Sequence, residues 1–360
     1  MIRLGILTMM PLESHSYFDE MAKRTKEYNI ILYLFSPLSV EPSTQMIEGY
    51  RYENSNNSWK SERFAIPEYL YDRCFYGEDR KSAEAQSVVS WLKSKKNIHF
   101  LGYGLPNKWR LYETLIKEPA ISPYLPSTNK AANAEKILAE LHKHNEIILK
   151  PINGAHGFAV YSLKKMDKKI KIRTTKQGTI IEKIFDDTKS VSHWLENLLT
   201  RQIFLIQPRL NNLNSKKEPF DLRIFLQKDK QGIWKEKGRA IRCGKKHGLL
   251  TNISAGANVI SYSKWRESTP YFNHDYINQE LDDILRILPE ILEEKFHPLF
   301  ELGIDIIIAS DQSLWILDMN SKPGRKIINL TEPQQLDTLY SAPLVYCSYL
   351  AAQSKDAVSN

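Results

Sequence analysis

The sequence predicts a mixed α/β protein: an N-terminal α/β unit on a parallel sheet, then an α+β region rich in strand–turn–strand hairpins. Three observations carry that expectation. Ile2 to Thr8 and Ile30 to Phe35 are short apolar runs separated by a helical stretch around Tyr17 to Tyr28, the alternation that builds parallel sheets. Later apolar runs come in pairs about polar or glycine breaks, as hairpins do. The stretch from Leu302 to Arg325, LGIDIIIASDQSLWILDMNSKPGR, reads as one such hairpin with acids inside Ile-rich strands.

Taken in order, Glu53 to Ser61 is polar and loop-like, Tyr69 to Phe75 is a strand candidate, Ala83 to Lys93 a helix, and His99 to Leu105 strand and turn. Gly5 stands alone, so no dinucleotide fingerprint follows the first strand. Residues 1–105 form the first expected unit. Asn107 is placed to cap a helix from Lys108 to Ile116, and Pro119 to Pro126 reads as an extended linker. Ala131 to His144 has helical periodicity. EIILKPINGAHGFAVY, Glu146 to Tyr161, is strand, glycine turn, strand: such a turn lets backbone amides approach an anion, although taken alone the stretch reads first as an ordinary hairpin. Lys150 ends its first strand. Ile170 to Ile184 is a basic hairpin, Ser190 to Leu199 a helix, and Ile203 to Leu210 a strand interrupted by Pro208, which implies an edge or a hinge.

Asp221 to Gln227 and Trp234 to Arg242 read as strands paired about a turn near Gly232. Arg223 and Arg242 are then candidate clamps for phosphate or carboxylate, or arginines with packed stems and exposed heads. Thr251 to Asn258 suits a loop over a site, and Tyr276 to Phe296 an amphipathic core helix bent at Pro289. A helix around Pro333 to Ala352 closes the chain. The expected units are residues 1–105, 106–205 with the glycine turn, 206–352 with the acidic hairpin, and a tail at 353–360.

The acidic hairpin is the focus. A two-residue loop pairs Ser310 with Ser313 and sets Asp305 opposite Asp318, with Leu314, Ile316, Asp318 and Asn320 on one face. Opposed Cβ atoms lie about 4.5–5.5 Å apart, where like charges repel. A hard divalent cation relieves that repulsion, and Asn320 adds a neutral oxygen ligand. A wet hairpin end is the bland alternative.

Bulk properties exclude more than they assign. The chain has 360 residues, 42% hydrophobic and 26% charged, with three well-separated cysteines that fit a reducing compartment. No apolar run approaches the ~18 residues of a membrane span, and no signal-peptide core opens the chain. The net charge of +8 is concentrated between Lys164 and Lys246, yet no nucleic-acid-binding motif accompanies it, so no sequence-specific nucleic acid is expected.

In sequence, the motifs NKW, LKP before a glycine turn, IQPRL, DLR, TNISAG, and an acid followed thirteen residues later by D-x-N and PG resemble the ATP-grasp superfamily. NKW, DLRIF, TNISAGA and LDMNSKPGR bring the chain closest to the YheC/YheD family, endospore coat-associated ATP-grasp proteins of Bacillus-type bacteria. The resemblance covers roughly the last two-thirds of the chain. It implies an ATP-grasp fold behind the N-terminal unit, with ATP and Mg²⁺ as cofactors. Lys108 and Lys150 would contact phosphates under a loop shaped by Gly154 and Gly157, and Arg223 would join that nucleotide site. Gln207, Pro208, Arg209 and Leu210 would line the adenine pocket; Asp305, Asp318 and Asn320 would hold Mg²⁺; Arg242 and Arg325 would face phosphate or acyl phosphate.

The implied chemistry is ligation of a carboxylate, small-molecule or peptide, to an amine or thiol, in the cytoplasm or at the spore coat with other coat proteins as partners. The loop GAHGF is shorter and poorer in glycine than in many such ligases. That keeps open an alternative: a coat protein retaining the fold, or ATP binding, without turnover.

Overall fold

A computed structural model describes residues 1–11, 16–153, 159–176, 179–246, 248–253 and 256–359. Three sheets organise them. The first contains β1 (Ile2–Leu7), β2 (Ile30–Phe35), β3 (Val40–Glu41), β4 (Met46–Glu53), β5 (Ser58–Ala65), β6 (Tyr69–Asp72) and β7 (His99–Phe100), in the order β3-β4-β2-β1-β6-β7 with β5 on β4. The run β2-β1-β6-β7 is parallel. Helices α1 (Ser16–Ala22) and α2 (Arg80–Lys93) serve this unit. Residues 53–61, expected as loop, instead turn a hairpin pairing Glu53 with Ser58. Most of β5 is exposed and only Phe64 is buried, so no apolar period marked it.

Asn107 caps α3 (Lys108–Leu115), its Oδ1 accepting from the Arg110 amide at 3.0 Å. Leu111 and Leu115 of this helix, with Ile121 and Leu125 after it, join the core of the third sheet. The second sheet therefore begins later than expected. It comprises β8 (Asn129–Lys130), β9 (Glu146–Pro151), β10 (Tyr161–Met166), β11 (Lys169–Lys176), β12 (Thr179–Phe185) and β13 (Phe204–Pro208), in the antiparallel order β12-β11-β10-β9-β13-β8. Its core lies under α4 (Ala134–His144) and α5 (Thr188–Leu199). The proline-marked strand β13 is no edge, for it lies between β9 and β8. It tolerates Pro208 because β8 pairs only as far as Ile206, which leaves the proline nothing to donate to on that side.

The third sheet is antiparallel, β16-β15-β14-β17-β18, from β14 (Phe220–Lys228), β15 (Trp234–Cys243), β16 (Asn258–Ser261), β17 (Glu301–Ile308) and β18 (Leu314–Asn320). Helix α6 (Tyr262–Ser268) follows β16, and the long α7 (His274–Lys295) lays Ile277, Leu281, Ile284, Leu288 and Leu292 on Ile304 and Ile306. After α8 (Lys326–Thr331) comes α9 (Leu336–Ser359), which returns to the first sheet and buries Leu344, Tyr346 and Cys347 against Leu4 and Ile6. Residues 353–359, expected as a tail, continue this helix.

Within the acidic hairpin, Asp305 does face Asp318, by a different route from the one expected. The loop holds three residues, with Ala309 opposite Ser313 and Gln312 in the left-handed region at φ 68°. That slip alone would misalign the acids. Leu317, left unpaired between Ile316 and Asp318, restores the register as a β-bulge. The bulge also reverses the face, so Ile316 enters the core while Asp318 lines the cavity on the other side.

Candidate functional site

One cavity of about 620 Å³ lies between the second and third sheets, with Phe75, after β6 of the first, also lining it. Its floor is one face of the third sheet, where strand register builds a row of charge. Asp221 on β14 opposes Arg242 on β15, Arg223 on β14 opposes Asp305 on β17, and Asp305 opposes Asp318 on β18. Period-two alternation puts Asp221 and Arg223 on one face, so the whole row points into the cavity.

Contacts within the row are short. Arg242 forks onto Asp221, Nε to Oδ1 at 2.7 Å and Nη2 to Oδ2 at 2.6 Å, and its Nη2 also stands 3.0 Å from Asp305 Oδ1. Arg223 Nη1 donates to that same Oδ1 at 2.6 Å. Arg223 reaches it by lying across Gly303, where a Cβ would stand 2.5 Å from Nη2. Burial pushes the Asp305 carboxyl up, but the two guanidiniums outweigh it and hold the group below the usual carboxylate range. At Asp221 burial outweighs the pull of Arg242 and raises the carboxyl, while Thr251 Oγ1 donates to it.

Two lysines come from outside the sheet. Lys108, first residue of α3, places Nζ 2.5 and 2.6 Å from the two Asp318 oxygens. Lys150, near the end of β9, donates to the Leu317 carbonyl at 3.0 Å, the bulge residue that has no cross-strand partner. Burial, then the neighbouring Lys108 charge, lower Lys150 to about 8.

Gln207, Pro208, Arg209 and Leu210 line the opposite wall, and Gln207 is fixed by its Nε2 donating to Thr128 Oγ1 at 2.8 Å. Asn320 also lines the cavity. Gly154 and Gly157 lie outside the described residues.

Arg325 goes elsewhere. Its side chain does not line the cavity; Nη2 donates to Glu301 Oε1 at 2.7 Å and to the Tyr71 hydroxyl, with the guanidinium 3.6 Å from the Tyr17 ring centre. Arg73 and Gln227 complete this buried knot around Glu301, which joins the first sheet to β17. The expectation that Arg325 faces phosphate is corrected: a buried glutamate claims the fork first.

Sequence reasoning did not assign roles to Asp221, Thr251 or Thr128. The signal for Asp221 was present in DLR, two residues before an arginine on the same strand face. The metal question turns on donor chemistry. Among the described residues no group of three or more His, Cys, Asp or Glu is placed to hold a metal ion. Two opposed carboxylates with an amide nearby form a hard oxygen set of the size Mg²⁺ accepts from protein. Both arginines contact Oδ1 of Asp305, and Asp305, Asp318 and Asn320 would be the residues to hold such an ion. Among the described residues no helix is long and apolar enough to cross a membrane.

Comparison with known proteins adds an independent line. A family model described as YheC/D like ATP-grasp matches residues 97–350. The Bacillus subtilis (strain 168) protein named endospore coat-associated protein YheC is 38% identical over 353 residues, covering 98% of this chain and 97% of that protein. Endospore coat-associated protein YheD of the same organism is 23% identical over 341 residues, covering 94% and 74%. Among solved structures, D-cycloserine synthetase DcsG matches with a TM-score of 0.55 at 11% identity, over 98% of this chain and 99% of that one. A Chryseobacterium gregarium RiPP-associated ATP-grasp ligase, in complex with ADP and a leader and core peptide, matches at 0.50 and 14%, over 98% and 97%. At such identities these likenesses speak to architecture, and the architecture is the ATP-grasp fold.

Proposed function

We propose, for a chain that belongs to the YheC/D-like ATP-grasp family, the ATP- and Mg²⁺-dependent joining of a carboxylate to an amine or thiol. A carboxylate oxygen of the substrate attacks the γ-phosphorus, the bond to the β-phosphate oxygen breaks, and ADP leaves. The amine or thiol then attacks the acyl carbon and phosphate departs, its proton passing to solvent. The supporting observation is the convergence of Lys108, Lys150, Arg223, Arg242, Asp305 and Asp318 on one cavity.

The chain's own share is positioning and electrostatics. Lys150 and Lys108 offer ammonium groups to polyphosphate, and the 207–210 wall offers backbone groups to the adenine. Arg242, held by Asp221, presents a fixed guanidinium to the transferring phosphoryl group. Asp305, Asp318 and Asn320 would hold Mg²⁺, which when bound neutralises phosphate charge. Arg325 acts at a distance, fixing the start of β17 through Glu301.

The test is to incubate the protein with ATP, Mg²⁺ and pooled carboxylates, amino acids and dipeptides. ADP and a condensed product should appear together; ADP release without any product, or none at all, would sink the ligase reading. The second reading, a coat protein that binds nucleotide without turnover, is favoured by the coat-associated name of the 38% identical relative. It predicts Mg·ATP binding with no ADP formed. Coat association enters through the names of the relatives, and the ligase reading suits the cytoplasm as well as the spore coat.

A further inference from the structure

We infer that Lys108 is a removable counter-ion that closes the Asp305–Asp318 pair to free divalent cations, so that a cation is accepted only as its complex with a nucleoside di- or triphosphate. This rests on the nucleotide reading above and specifies what form of ligand that site takes.

The argument begins with charge. Arg223 and Arg242 both contact Asp305, and Lys108 engages both oxygens of Asp318. Asp221 is committed to Arg242. Lys150 adds a fourth cationic group beside the bulge. A bare dication approaching the pair therefore meets carboxylates already neutralised, with an ammonium between it and the oxygens of Asp318. Like charges within a few ångström in a partly dry site repel strongly.

Of the three counter-ions, only Lys108 is free to leave. Arg242 is forked onto buried Asp221, and buried Arg223 lies across Gly303, where no Cβ stands in its way. Each would have to abandon a buried carboxylate. Lys108 makes a single ion pair from the first turn of α3, with part of its side chain in contact with solvent. Its four-carbon stem lets the ammonium swing as a compact charge.

A polyphosphate makes the exchange favourable. Lys108 gives up the Asp318 carboxylate for a phosphate oxygen, so its own charge stays paired. Both Asp318 oxygens then turn to the cation that the phosphates carry. A cation alone offers Lys108 no replacement partner. Cation and nucleotide should therefore favour one another's binding by the same factor, as linkage requires.

Mn²⁺ serves as the probe, its free concentration read by electron paramagnetic resonance, with the full chain and its Lys108→Met variant, each with and without ADP. Wild type should show no saturable Mn²⁺ binding below millimolar, and ADP should bring it on. Lys108→Met should bind Mn²⁺ alone on the order of tenfold more tightly, as expected when one charged hydrogen-bonding competitor is removed, and ADP should add little. A damaged fold loses ligands, so a gain in affinity cannot come from misfolding. An unchanged or weaker Mn²⁺ isotherm in a Lys108→Met protein that melts cooperatively overturns the inference. Failure of wild type to take up Mn²⁺ with ADP, alongside a gain in the variant, instead removes the nucleotide reading and leaves the lock standing.

Discussion

Lys150 is a place where stability and function should pull apart. Its folded value of about 8 lies below the 10.5 of an unperturbed lysine, chiefly through burial and then through Lys108. Below pH 8 the lysine is protonated both folded and unfolded, so the whole cost of holding that charge is present. As pH rises from 8 towards 10.5 the folded protein gives up the proton first, and stability rises. The full shift corresponds to about 3.4 kcal/mol. Water in the cavity reduces it, and Lys150→Met also strips the Leu317 carbonyl of its donor, worth about 1 kcal/mol. The variant should thus be more stable than wild type by about 1–2 kcal/mol at pH 7 after both corrections, and the gap should close by pH 10.5. Denaturant melts at pH 7 and 10.5 read this directly. Nucleotide affinity should move the other way, falling roughly ten- to a hundredfold at pH 7 with the loss of a charge-assisted contact. A Lys150→Met protein that is less stable at pH 7, or whose advantage does not depend on pH, would show that the ammonium is not strained in this cavity.

Other sites give sharper yes-or-no outcomes. Asp318→Asn should lose most of the thermal shift that Mg·ATP gives wild type, which approaches about 2.7 kcal/mol at a hundredfold excess over the dissociation constant; equal shifts in the two proteins would remove Asp318 from the site. Glu301→Ala leaves Arg73 and Arg325 uncompensated in a buried knot and should cost about 3–5 kcal/mol in unfolding free energy. A loss under 1 kcal/mol by the same melts would mean that solvent reaches the knot, contrary to its burial. Gly303→Ala pushes a methyl group into the Arg223 guanidinium and Pro323, so overpacking should cost about 1–3 kcal/mol and weaken Mg·ATP binding. A variant as stable as wild type with unchanged affinity would show that Arg223 can take another path.

The sequence alone determined most of the elements and the chemistry that travels with them, but not β5 or the end of α9. Strand runs, the Asn107 cap, the α7 stripe and the acids of the hairpin all express local periodicity, which a single stretch of chain records. It also carried the family, because LKP, DLR and D-x-N keep their residues and their order. What it could not carry was direction over distance. Nothing near Arg325 announced that Glu301, Tyr71 and Tyr17 would claim its guanidinium, since those partners come from β17, β6 and α1, far apart in the chain. Asp221 became the holder of Arg242 only when β14 and β15 paired in register. The loop of the acidic hairpin is one residue longer than expected, and only the sheet revealed the bulge at Leu317 that compensates. Helix α9 and the α3 segment likewise pack against sheets that are not their neighbours in sequence. Local patterns fix which side chains a strand or helix can offer; burial against distant partners decides where each charge ends up, because an ion in a dry place takes whichever counter-ion the packing brings within reach.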